Sequence, residues 1–330
     1  MNPAPKNVLV IDLGQLGDVV LSLPALEAIR DRFPEAKRSV IVGAACADVV
    51  RLTGFFDDVI AVDRGELRRM NKLRATAKLL RFASGIRARK FDLVIDIHSL
   101  PETNILGFIS GAPSRLFGNR ESRSIDRLSN FRPRPPLEDK SLHISRYYLN
   151  VLGPLGVEVS DPHIKLVPRQ EDVEPVRGKL GTDVISKKRL VGICPGAGHE
   201  SRRWPLENFA AIADQLLSDD DTEVIVFLGP EEASDPAFAD VFDERVALAR
   251  GLTIPQLVAG FSLLSVLVGN DSGPVHIGAA AGVPIVLLQN RFSPGRYLPL
   301  AEKMQVLQKD SVKEITVEEV VSAVLNAQDS

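Results

Sequence analysis

Short β-branched runs alternate with helical patterns along almost all of the 330 residues, and that alternation leaves few folds open. In the first half the strand candidates are Val8–Asp12, Ser39–Val42, Asp58–Val62, Leu93–Ile97 and Arg115–Phe117. In the second half they are Leu190–Cys194, Glu223–Leu228, Val246–Ala249, Leu264–Val268, Pro284–Leu288 and Met304–Leu307, before a terminal helix over Thr316–Ala327. Strands spaced by helices are joined as parallel neighbours, so the expected class is α/β with doubly wound sheets. The rhythm breaks twice. Asn119 to Lys140 is rich in Arg, Ser and Pro and is expected to be a mobile loop, and Pro168 to Lys188 is polar and charged, as a linker would be. The expected division is an N-terminal domain over 1–168, a linker over 169–188 and a C-terminal domain over 189–330.

Two strand–turn–helix corners stand near opposite ends of the chain. One is Asn270-Asp271-Ser272-Gly273-Pro274-Val275-His276, which follows the apolar run Leu263 to Val268 and opens a helix expected over Ile277 to Gly282. Such a turn leaves backbone N–H groups unpartnered beside the positive end of a helix dipole, an arrangement that attracts anions. The other is Leu13-Gly14-Gln15-Leu16-Gly17-Asp18-Val19, between the strand Val8–Asp12 and a helix expected over Val19 to Arg32. Two such units predict two Rossmann-like domains, each offering the carboxyl end of its sheet to a central cleft.

Composition narrows the function classes. A hydrophobic share of 45% and a charged share of 25% are those of a water-soluble globular chain. No apolar run reaches the length of a membrane span, and Met1 to Lys6 runs into a strand pattern without a signal-peptide layout, so a cytoplasmic location is expected. Cys46 and Cys194, the two cysteines, read as buried free thiols. The net charge of −3 hides an asymmetry: residues 1–165 hold 25 Lys and Arg against 19 Asp and Glu, leaving 15 against 24 for residues 166–330. Much of the excess lies in Glu66 to Lys90, with nine basic residues, and in Arg115 to Arg134, with six arginines. Leu67, Met70, Leu73, Ala77, Leu80 and Ile86 give the first run an apolar face at helical spacing, which fits peripheral contact with an anionic inner-membrane surface or an anionic acceptor. A plain solvated face is the alternative. Nucleic acid is not expected, because the chain is acidic overall and only 5% aromatic.

Three motifs in order carry a resemblance: the LGxLGDVVLSLPAL pattern over Leu13 to Leu26, Pro195-Gly196-Ala197 followed by Arg203-Trp204-Pro205, and NDSGPVH over Asn270 to His276. Together they resemble glycosyltransferase family 9, the ADP-heptose:lipopolysaccharide heptosyltransferases, over about Val8 to Pro299. The resemblance implies a GT-B arrangement. It implies an inverting, metal-independent transfer of heptose or a related sugar from an ADP-sugar donor to an anionic glycolipid, the lipopolysaccharide core. No cofactor or metal is expected beyond the nucleotide-sugar co-substrate. Another GT-B transferase or epimerase, and a non-catalytic sugar-nucleotide-binding protein, stay open as alternatives.

Asp18 occupies the position of the family's catalytic aspartate, which implies a general base; read locally, it is a helix N-cap. The expected donor side comprises Pro195, Gly196, Ala197, Arg202, Arg203, Glu231, Asp271, Ser272, Gly273 and His276. Arg202 falls where relatives commonly carry a phosphate-binding lysine, and Arg203 is its alternate. Glu231, or equally Glu232, is expected at the ribose hydroxyls. Asp271 reads as a partner of His276 or of a sugar hydroxyl, or as a cap, and His276 also reads as a core histidine. Trp204 is expected to be a packing residue. The expected acceptor side comprises Gly17, His98, Ser99, Arg115 and Arg120, with a structural role as the equal alternative for His98 and Ser99. Two departures from the family pattern stand out. Asp12 replaces a residue that is often basic and is assigned no role, and Gln289-Asn290-Arg291 replaces a glycine-containing turn beside the expected donor pocket.

Overall fold

A computed structural model describes residues 4–159, 161–180 and 189–328. The chain divides into two compact units, Met1–Pro162 and His163–Ser330. Each is an α/β unit around one parallel sheet.

The first sheet is built from β1 (Asn7–Asp12), β2 (Lys37–Gly43), β3 (Asp58–Val62), β4 (Leu93–Asp96) and β5 (Ser114–Phe117), in the order β3-β2-β1-β4-β5. Val8, Leu9, Val10 and Ile11 in the middle of it are inaccessible to solvent, as expected of a strand covered on both faces by helices. The helix Leu16–Arg32 begins three residues earlier than its periodicity suggests. Gln15 holds the extended capping conformation, and Asp18, at the third helical position, accepts the Gln15 N–H on Oδ2 at 3.2 Å. Asp18 is therefore not the N-cap; it reaches back to it, as the acidic partner of a capping box does.

The second sheet is built from β6 (Arg189–Cys194), β7 (Thr222–Leu228), β8 (Ala247–Arg250), β9 (Val266–Asn270), β10 (Ile285–Asn290) and β11 (Met304–Lys309), in the order β11-β10-β9-β6-β7-β8. Its core joins Val191, Ile193, Phe209, Val226, Val268 and Val324. Read from β8, this order repeats that of the first sheet with one strand added. In both, the chain starts in the middle, winds outward, then returns to the other side of its first strand. The reversal falls between β1 and β4 in the first unit and between β6 and β9 in the second. Crevices open at the carboxyl ends of strands at such switch points.

Three local expectations change. Within the stretch expected to be a linker, Gln170–Leu180 is a helix packed against the helix Ile254–Phe261, because Val173, Val176 and Leu180 supply an apolar stripe that the charged average conceals; 181–188 lie outside the described residues. The loop over 119–140 is anchored rather than loose: Arg120 pairs with Glu138 at 3.3 Å, Asn119 bridges to Leu137, and Asn130 Oδ1 accepts the Arg115 N–H at 2.8 Å. The basic segment after β3 is two helices, Arg64–Arg69 and Lys72–Ala88, broken at Met70–Asn71. On the second helix, Ile86 is buried while Leu73 and Leu80 are 85% and 67% exposed. A turn of about 100° per residue sets Leu73, Ala77 and Leu80 opposite Phe82 and Ile86, so the expected single apolar face is in fact two.

Candidate active site

At the switch point of the first sheet, the turn after β1 and the turn after β4 converge on Gly14. A Cβ placed there would lie 2.8 Å from Asp18 Cβ, 3.3 Å from Asp12 Oδ1 and 3.5 Å from His98 Cε1. Only glycine lets three side chains crowd so close to one backbone position. Asp12, at the end of β1, is inaccessible to solvent. Its Oδ2 accepts the Ser22 hydroxyl at 2.6 Å and its Oδ1 the Gly14 N–H at 3.3 Å. Burial outweighs those two donors and lifts its pKa to about 6.

Asp18 is partly exposed. Burial raises its pKa too, while the Gln15 N–H and the charge of Arg120 pull the other way. Its Oδ1 accepts no hydrogen bond from any described residue, which leaves one carboxylate oxygen available to take a proton. A carboxylate whose pKa is raised is the stronger base.

His98 stacks on Tyr148 and is kept neutral: burial first, then Arg120, Arg64 and Arg123, depress its pKa to about 3. Arg120 is 4% exposed, donates to the His98 carbonyl at 3.0 Å and lies over the Tyr147 ring at 4.6 Å. Its charge therefore reaches Asp18 and His98 from a fixed position. Gly17 sits in the first turn of the helix that carries Asp18.

Two residues expected on the acceptor side face elsewhere. Ser99 is fully buried in a left-handed conformation (φ 52°), donating its N–H to Asp96 at 2.7 Å and its hydroxyl to the Gly118 carbonyl at 2.8 Å. Asn104 completes that knot by donating to Asp96 Oδ2 at 2.7 Å and accepting the Ile125 N–H at 2.7 Å, which pins the 119–140 loop. Arg115 donates to the carbonyls of Leu128 and Ala112 and lies over Phe108 at 5.4 Å, holding the start of β5 rather than its carboxyl end. The sequence reading missed Arg64, Arg123 and Tyr148, which shape the field around His98 and Asp18. It also left Asp12 without a role, although a carboxylate ending a wholly apolar strand was a visible signal.

In the second unit, the turns after β6, β7 and β9 surround a cavity of about 330 Å³. Gly196, Ala197, Glu231, Glu232, Ser272 and Gly273 line it. Asn270 fastens the corner from within: it is inaccessible to solvent, donates to the Pro195 carbonyl at 2.7 Å and accepts the Trp204 N–H at 3.0 Å. Trp204 is a packing residue, edge-on to Phe209, with its indole N–H donating to the Ile315 carbonyl at 2.8 Å.

The helix after β9 starts at Gly273, four residues earlier than expected, with Ser272 as its N-cap. Pro274 has no N–H and the Val275 N–H donates to the Ser272 carbonyl at 3.2 Å, so the backbone donors left at the corner are those of Ser272 and Gly273. The Ser272 hydroxyl is buried and bonds to no described residue. Arg202 pairs with Asp271 at 3.3 Å, and burial raises the Asp271 pKa against that pairing. His276 is 6% exposed, as a core histidine is, with Nε2 4.0 Å from Asp271. Arg203 donates to the Ala197 carbonyl at 3.0 Å and lines a smaller pocket of about 230 Å³ with Pro195 and Trp204.

Of the two glutamates, Glu231 is exposed and Glu232 half-buried. The Glu232 carboxylate lies over the bare Cα of Gly196 and of Gly229, where any Cβ would strike it. Gln289 and Asn290 close β10 rather than form a turn, Gln289 is buried, and neither lines the 330 Å³ cavity. Cys46 and Cys194 are buried free thiols, with burial lifting Cys46 to about 12 and Cys194 well above its ordinary value. Among the described residues no helix is long and apolar enough to cross a membrane.

Two Rossmann-like units, each with a strand–turn–helix corner at the switch point of a parallel sheet, are of the GT-B fold class. The chain belongs to glycosyltransferase family 9 (heptosyltransferase), whose family model matches residues 79–323, and it is a glycosyltransferase. It is 25% identical over 321 residues to lipopolysaccharide heptosyltransferase 2 of Salmonella typhimurium, covering 91% of this chain and 87% of that protein. Its fold is similar to that of a glycosyl transferase family 9 protein from Veillonella parvula, with a TM-score of 0.80, 25% identity and 98% of each chain covered. It is also similar to Escherichia coli ADP-heptose lps heptosyltransferase II, with a TM-score of 0.77, 20% identity and 98% and 100% of the two chains covered.

Proposed function

We propose that this chain transfers heptose from ADP-heptose to an acceptor of the lipopolysaccharide core by one displacement that inverts the anomeric centre and uses no metal. The observation that carries the reading is Asp18: a carboxylate at the switch point, raised in pKa, with one oxygen held and the other open. In the proposed reaction the acceptor hydroxyl gives its proton to Asp18 Oδ1 as its oxygen attacks the anomeric carbon. The bond from that carbon to the diphosphate breaks, and ADP leaves with the electron pair. Negative charge then grows on the diphosphate, where the N–H groups of Ser272 and Gly273, the Ser272 hydroxyl and Arg202 would meet it. Glu232, with Glu231 beside it, is suited to accept hydrogen bonds from ribose hydroxyls.

The acceptor side is assigned to Gly17, His98 and Arg120, with Arg64 and Arg123 adding positive charge for an anionic glycolipid. The helix Lys72–Ala88 supplies the membrane contact in this reading. Its exposed Leu73, Ala77 and Leu80 are flanked by Lys72, Arg74, Arg81 and Arg87, a pattern suited to the plane of an anionic lipid surface.

Incubation with ADP-heptose, with and without a Kdo-bearing acceptor, tests the reading. The expected result is acceptor-dependent release of ADP with a heptosylated product. Epimer formed without acceptor, or ADP binding with no transfer to any core acceptor, would overturn it.

A further inference from the structure

Asp12 stands where the family pattern is often basic, yet it is built into the first unit with care. It is fully buried, both its oxygens are engaged, and it borders Gly14 together with Asp18 and His98. His98 Nδ1 is buried and has no hydrogen-bond partner among the described residues, and Asp12 Oδ1 lies 4.0 Å from it. That gap exceeds a hydrogen bond by about 1 Å, which a small rotation of either side chain closes. A buried Nδ1 facing a carboxylate must carry the ring proton, since its lone pair would be repelled. The ring is neutral, so this leaves the lone pair on Nε2, which bonds to no described residue.

We infer that Asp12 is a positioning residue for transfer: it fixes His98 as the Nδ1–H tautomer, with Nε2 free to accept a hydrogen bond from an acceptor hydroxyl, and its negative charge strengthens Asp18 as a base. The inference rests on the reading of Asp18 as that base. The field around Asp12 comes from several elements. Asp18 and Ser22 face it from the helix Leu16–Arg32, Asp96 and His98 from the end of β4, and Cys46 from the turn after β2. Tyr148 lies within its field from the helix Ile144–Val151, and the cations Arg64, Arg120 and Arg123 surround His98. Repulsion between Asp12 and Asp18 is mutual: ionised Asp18 raises Asp12, and ionised Asp12 makes Asp18 hold a proton more tightly. Asp12 titrates at about 6, so full strength is reached above that pH.

Two measurements on the intact chain test the inference. The first is the pH dependence of kcat with ADP-heptose and a Kdo-bearing acceptor. Asp12→Asn is expected to move the acid limb to lower pH and to reduce kcat about tenfold at neutral pH, with the donor KM unchanged. Ser22→Ala removes the donor that favours ionised Asp12 and is expected to move the same limb to higher pH, which keeps a test available if Asp12→Asn does not fold. The second needs no turnover: ¹⁵N spectra of the histidines, with His98 assigned through His98→Gln. Nδ1–H is expected in the native chain, and a shift toward Nε2–H in Asp12→Asn. Acid limbs that coincide in all three proteins, or one His98 tautomer throughout, would overturn the role of Asp12. Full activity in Asp18→Asn would instead overturn the base on which it rests.

Discussion

Around Gly14 in the first unit, Asp12, Asp18, His98 and Arg120 are packed into mutual electrostatic reach; at the equivalent switch point of the second unit, four glycines, Ser272 and the carboxylates of Glu231 and Glu232 line a cavity, and Arg202 pairs with Asp271 at the start of the following helix. Sheet order matches apart from one added strand, so topology does not cause the difference. The contrast lies in what each corner must do. Moving a proton requires groups whose affinities are set by burial and by one another, and those groups are side chains. Cradling a diphosphate requires close backbone approach and fixed N–H groups, for which side chains are best kept small. On the proposed reading, one strand–turn–helix frame serves two chemistries by exchanging what surrounds its glycines.

The largest effect should come from the first corner. Asp18→Asn is expected to lower turnover by roughly 10² to 10⁴, in keeping with the loss of a general base. Turnover near that of the native enzyme would remove Asp18 from the mechanism. Next is the second corner: Ser272→Ala takes away a buried, unpartnered hydroxyl and should weaken ADP binding about tenfold, measured by calorimetry, without changing the acceptor KM. A change in acceptor KM alone would blur the contrast. Arg202→Ala should weaken ADP binding by only about three- to tenfold, and less at high salt, because its side chain is 47% exposed and screened.

The smallest effect concerns stability. Asp12 and Asp96 are raised on folding from an ordinary 3.8 to about 6 and about 7, chiefly by burial, so the folded state holds their protons more tightly. Their contribution is complete below pH 3.8 and is lost as pH rises through 6 and then 7. Thermal melting between pH 4.5 and 7.5 should therefore show the native chain losing stability relative to Asp12→Asn as pH rises. Parallel curves would contradict this.

Much of the architecture was legible because strand and helix periods are local. Val8 to Asp12 and Glu223 to Leu228 declare themselves within a few residues, and the alternation between such runs implies the parallel sheets. The glycine corners were equally visible, as were the positions of Asp18 and Asp271 beside them and the packing role of Trp204. What sequence concealed was direction. Arg115 and Arg120 lie five residues apart in one basic run, yet Arg115 is claimed by the carbonyls of Ala112 and Leu128, while Arg120 is fixed between His98 and Glu138. Ser99 is taken by Gly118, nineteen residues away. Those partners become neighbours only after the sheet assembles. Glu231 and Glu232 could not be ranked for the same reason, since the preference depends on two glycines from separate turns. Gln289 looked like a turn residue because β10 continues two positions past its apolar run.

The proposed division of labour sets proton removal in the first unit and charge capture in the second. It is tested most directly by measuring ADP-heptose affinity in Asp18→Asn by calorimetry. The expected dissociation constant equals that of the native enzyme while turnover collapses. A loss of donor affinity as large as the loss of turnover would show that Asp18 serves binding, and the division would fail.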